Sequence, residues 1–112
     1  MTEQEILDSN KIIAEFMGAK PCKQHPNTQL FLTIKNNKNP SLQYWHLLKY
    51  HKSWDWLIPV IDKIHSSNYY VDYYLSELGQ FNNGIHINTK FIEVSFNVVV
   101  EYIKWYNKYI KQ

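Results

Sequence analysis

Ile92, Phe96, Val99, Ile103, Tyr106 and Ile110 recur at spacings of +4, +3, +4, +3 and +4, which lays them along one face of a helix. A second apolar line, Val98, Tyr102, Trp105 and Tyr109, runs beside the first. Two adjoining stripes are wider than one core contact needs. A helix over residues 90–110, capped by Thr89, therefore has to cover its second line either within the fold or against a partner. At 112 residues the chain holds one domain, residues 1–112, and no second core fits in that length. A composition with 45% hydrophobic and 20% charged residues is that of a folded chain.

The remaining elements are read the same way. Thr2-Glu3-Gln4-Glu5 forms a capping box. It opens a helix over residues 3–18 whose apolar face is Ile6, Ile13, Phe16 and Met17, with Ile12 at its edge. Gly18 is the expected stop, and Pro21 prevents continuation. Residues 19–28 hold Pro21, Pro26 and Asn27 and read as a loop. Residues 30–34 are a short strand and residues 35–40 a turn. Alternation of Leu42, Tyr44, His46, Leu48 and Tyr50 predicts a strand over residues 43–49, with a helix as the competing reading. Ser53 is the expected N-cap of a helix over residues 54–66, striped by Trp54, Leu57, Ile58, Ile61 and Ile64. Pro59 removes a backbone donor there, which predicts a kink or a later start. Tyr69-Tyr70-Val71-Asp72-Tyr73-Tyr74-Leu75 reads as the strongest strand, apolar on both faces. Asn82-Asn83-Gly84 is a hairpin loop from which Ile85-His86-Ile87 returns. The expected order is α–β–β–α–β–β–α, an α+β fold.

The charge pattern narrows the function. All twelve basic residues are Lys, so the chain has no bidentate fork for phosphate, carboxylate or guanine. A formal net charge of +2 excludes an acidic mimic of DNA. Residues 29–52 carry Lys35, Lys38, Lys49 and Lys52 and no acid. With Tyr44, Trp45, His46, Tyr50, His51 and Trp54 they interleave ammonium groups with flat rings, a mixture that holds single-stranded nucleic acid. The competing reading packs Tyr44 and Tyr50 in the sheet and leaves the lysines in solvent. Nine Tyr and four Trp also exceed what a core of this size readily buries, and such rings anchor protein interfaces. Two patches follow: Lys35, Lys38, Trp45, Lys49 and Lys52, and on the last helix Lys104, Trp105, Lys108 and Tyr109.

Catalytic chemistry finds little footing. Cys22 and His25 form a C-x2-H pair without a second cysteine to complete a zinc set. No hydrolase elbow, zinc-protease helix, phosphate-binding loop or dinucleotide fingerprint is present. The expectation is no enzyme, no metal, no cofactor and no small-molecule substrate. The lone cysteine, the acidic N-terminus and the short apolar runs predict no disulfide, no secretory signal and no membrane span.

Lys, Asn and Ile make up 35 of the 112 residues, and their AT-rich codons point to a low-GC bacterial or phage genome. Two segments carry a resemblance to a known family: Tyr50-His51-Lys52-Ser53-Trp54-Asp55-Trp56-Leu57-Ile58-Pro59-Val60, and Phe91-Ile92-Glu93-Val94-Ser95-Phe96-Asn97-Val98-Val99-Val100-Glu101-Tyr102-Ile103-Lys104-Trp105-Tyr106-Asn107. The chain resembles the small phage and prophage proteins of the phage ABA-sandwich type. In these a Tyr-x-x-Ser-Trp-x-x-Leu pattern opens the middle helix, and a Phe/Tyr-Ile-x-Trp-Tyr pattern ends the closing helix. The resemblance implies a three-layer α/β/α sandwich with a small antiparallel sheet, and it implies no catalytic residue. Residues 35–45 depart from the family pattern. Small phage proteins without enzymatic motifs often block a host machine, as anti-CRISPR proteins do. The expected function is inhibition of a host RNA-guided nuclease, by binding the CRISPR effector or its guide-RNA complex in the bacterial cytoplasm. A single-stranded nucleic-acid-binding module and a homo-oligomeric accessory phage protein are the alternatives.

Overall fold

The computed structural model describes residues 1–33, 41–67, 69 and 91–111. Helix α1 spans Glu3–Phe16 and opens on the expected capping box, Thr2 accepting from the Glu5 amide while the Glu5 carboxylate accepts from the Thr2 amide. It closes two residues earlier than expected. Gly18, with φ at +93°, donates to the Glu15 carbonyl at 3.0 Å, and Ala19 donates to the Ala14 carbonyl at 2.9 Å. This paired closure needs a left-handed residue, which glycine supplies without a Cβ penalty.

Three strands follow: β1 (Lys20–Pro21), β2 (Gln29–Leu32) and β3 (Ser41–Tyr44), forming an antiparallel sheet in the order β1-β2-β3. The register pairs Lys20 with Phe31, Phe31 with Leu42 and Gln29 with Tyr44. Residues 19–28 are thus not only a loop, since they supply β1. The strand expected over residues 43–49 ends at Tyr44 and turns into a 3-10 helix, Trp45–Leu47. Trp45 and Leu48, three apart, are both buried, the spacing of a 3-10 turn rather than of a strand. The inward pull on Trp45 is visible in its bonds: its amide donates to the Thr28 carbonyl at 3.0 Å and its indole to the Pro26 carbonyl at 3.3 Å.

Helix α2 spans Trp54–His65 and runs through Pro59, so the proline does not delay its start. Ser53 holds the N-cap position without a side-chain bond. The buried side is Leu57, Val60, Ile61 and Ile64, with Ile58 only half-buried. Helix α3 spans Ile92–Tyr109 with Phe91 at the N-cap, a residue with no side-chain oxygen to offer, whose carbonyl accepts from the Val94 amide at 3.2 Å; Thr89, the expected cap, lies outside the described residues. The strands expected over residues 69–75 and 85–87, and the hairpin loop between them, lie outside the described residues except for Tyr69. The described order is α–β–β–β–α–α, an α+β arrangement.

The helices run in one direction. Met1, Ile6, His51, Lys52, Glu93 and Phe96, from the starts of all three, border one hollow of about 350 Å³. Phe16, Lys63, Ser66, Tyr106 and Lys111, from their ends, border another of about 460 Å³. α3 packs against both α1 and α2, which explains its two stripes: Phe96, Val99 and Ile103 are buried, and so are Tyr102 and Trp105. Each first turn is acidic (Glu3 and Glu5, Asp55, Glu93), as parallel helix dipoles require. α1 lacks a basic residue in its last turn. Lys63 of α2 supplies one, donating to the Phe16 carbonyl and lying 4.6 Å from the Phe16 ring centroid. Burial pulls this ammonium below the usual lysine range.

Two substitutions test this account. Ile103→Ala, at a fully buried site, is expected to cost about 2–5 kcal/mol in urea unfolding. Gly18→Ala meets no atom within 4 Å, so its expected cost, about 1–2 kcal/mol, is purely that of a left-handed backbone, and Gly18→Asn costs less.

Candidate functional site

Among the described residues, the sheet is covered on one face only. Leu30 and Leu32 of β2 point into the core, at 0% and 1% exposure. Alternation then sends Phe31 outward, and the register places Leu42 of β3 directly across from it, with Tyr44 one step along. Phe31, Leu42 and Tyr44 are exposed by 42%, 50% and 43%. Lys20 of β1 stands across from Phe31 on its other side, so Lys20, Phe31 and Leu42 form a row across the three strands. Gln29 faces Tyr44. The Tyr44 and His46 rings lie 5.7 Å apart at 49°, which extends the face beyond the strand. Tyr44 also borders a hollow of about 340 Å³ with Lys11, Asn27, Thr28, Trp45 and His46. Lys11 sits 5.8 Å from the Trp45 ring centroid.

The sequence-derived residues are distributed differently. Trp45 and Trp105 are 7% and 9% exposed and belong to the core. Their indoles are spent on internal packing, so neither stands out as an anchor. Lys49 and Lys52 are exposed in the turn before α2, and Lys104, Lys108 and Tyr109 are exposed on α3. Lys108 Nζ lies 5.2 Å from the Tyr109 ring centroid, which leaves a smaller second patch of Lys104, Lys108 and Tyr109. Lys35 and Lys38 lie outside the described residues. Phe31 and Leu42 went unmarked in the sequence because nothing local says which face of a short strand is covered; their signal lay in the pairing.

Burial settles other rings. Tyr50 packs edge-on to Trp56 at 5.2 Å, and burial pushes its phenol well above the usual tyrosine range. Phe16 meets Tyr102 and Tyr106 edge-on, at 6.3 and 5.6 Å. Among the described residues no three His, Cys, Asp or Glu side chains converge into a metal-binding group, and no described helix is long and apolar enough to cross a membrane. Cys22 is buried.

Below the sheet, Asn10 is 2% exposed and donates from Nδ2 to the Leu48 carbonyl at 3.3 Å. The same nitrogen lies 2.9 Å from His51 Nδ1. An amide donor at that distance requires the ring nitrogen to accept, hence a neutral His51 protonated on Nε2. Burial, and secondarily the Lys52 charge, hold His51 below its ordinary pKa of 6.5. The unfolded chain therefore binds this proton more readily. The stability is intact above pH 6.5 and is lost as pH falls through the lowered folded value. His51→Gln, which accepts without titrating, is expected to show a smaller loss of denaturation midpoint between about pH 7.5 and pH 5 than the parent chain. No family model matches this chain, and no curated protein or solved structure matches it.

Proposed function

We propose that this chain is a non-enzymatic binding protein of phage or prophage origin, an α+β domain that presents one face of its small antiparallel sheet. It docks on a host RNA-guided nuclease, with or through its guide RNA, and blocks it in the bacterial cytoplasm as an anti-CRISPR inhibitor. The observation that supports a docking role is the bare sheet face of Phe31, Leu42 and Tyr44, rimmed by Lys20 and Lys11. Covering the exposed half of each apolar side chain gains on the order of 1 kcal/mol. An aromatic centre with a cationic rim is the composition of an interface with a charged partner. Leu47, Lys49 and Lys52 are also exposed in the chain after β3.

Steric occlusion needs no bond-making step; the chain has only to hold its position. The reading predicts that the tagged chain co-purifies with a CRISPR effector complex from a low-GC bacterial host, and that its expression abolishes interference. Phe31→Ser with Leu42→Ser is expected to restore interference at a cost of about 2 kcal/mol in stability, the contribution of the buried halves of the two side chains, with cooperative urea unfolding showing that the variant is still folded. Undiminished interference in the presence of the chain, across every effector type of the host, overturns the reading.

A further inference from the structure

We infer that the bare sheet face is a binding platform for single-stranded RNA, with Phe31 and Tyr44 stacking on successive bases. This rests on the docking role assigned to that face above, and names what occupies it. The geometry points to a planar, polyanionic partner. Phe31 and Tyr44 project from neighbouring antiparallel strands at diagonal positions, roughly 7–8 Å apart, and both are more than two-fifths exposed. Aromatic side chains on adjacent strands of an open sheet are how single strands are held without reading a duplex groove. Leu42, directly across from Phe31, is the third exposed apolar side chain of the face.

The charge around the face matches a phosphate backbone. Between Glu15 and Asp55 the chain has no carboxylate side chain, while it carries six Lys and three His. The whole sheet lies within that interval. Lys20 flanks Phe31 in register, and Lys11 lines the hollow beside Tyr44, in which no described carboxylate takes part. Without arginine, these contacts are point charges rather than bidentate forks, so binding is governed by stacking and salt rather than by sequence. Gln29, directly across from Tyr44, offers an amide donor and acceptor to a 2′-hydroxyl, the group that separates RNA from DNA.

The test is fluorescence anisotropy with the purified chain and labelled single-stranded RNA of mixed sequence, at low and moderate salt, beside DNA of the same sequence and duplex RNA. Binding to the single-stranded RNA that weakens with salt is expected. Tyr44→Ala and Phe31→Ala each weaken it by about tenfold, while Tyr44→Phe, which keeps the ring, binds as the parent does. Lys20→Gln and Lys11→Gln weaken it and flatten its salt dependence. Absence of RNA binding at low salt, or binding unchanged by loss of both rings, overturns the platform. Equal affinity for the DNA strand, or preference for duplex RNA, overturns the choice of single-stranded RNA. Self-association through the same face, lost in the same variants, overturns it in favour of a second copy of the chain. The two readings fail separately. A chain that binds RNA but leaves interference intact loses the inhibitor role and keeps the platform, whereas one that inhibits without binding free RNA loses the platform alone.

Discussion

The packing of α3 between α1 and α2 is the constraint on which the rest depends. A helix with two apolar stripes needs two neighbours, and here both run in its own direction. Parallel helices cannot be joined by a short turn. α1 has 14 residues and rises about 21 Å, a distance the chain must retrace before α2 can begin. Residues 17–53 make that return, and the sheet is what they form on the way. The alignment also adds the helix dipoles instead of cancelling them. Carboxylates in every first turn and the loan of Lys63 to the end of α1 answer that cost locally.

The sheet inherits its half-covered state from this arrangement. Its inner residues, Leu30 and Leu32, complete the core that the helices begin. β1 is only two residues long and β3 four, and among the described residues Phe31, Leu42 and Tyr44 stand about half exposed on the outer face. The helix layer buries Tyr102 and Trp105 and leaves Tyr109 exposed.

Local signals were legible where they acted locally. The capping box at Thr2, the stop at Gly18 and the periodicities of α2 and α3 depend on neighbours within a turn or two, and the helices lie within a few residues of their expected limits. The exposed residues of the sheet face are legible in the sequence only in kind. Tyr44 belongs to the basic and aromatic stretch, but Trp45 beside it is turned into the core, and nothing local separates Phe31 and Leu42 from ordinary strand residues.

By itself, then, the sequence determined where the helices form, that the sheet region carries lysine without acid, and that its cations are all point charges, because each is a property of short stretches of chain or of composition. Only the tertiary structure decided which strand face is bare, which tryptophans are consumed and that the helices share a direction. Alternation says that Phe31 and Leu32 point opposite ways; it does not say which of them the rest of the molecule will cover. That choice belongs to contacts between segments far apart in the chain, which no local pattern encodes.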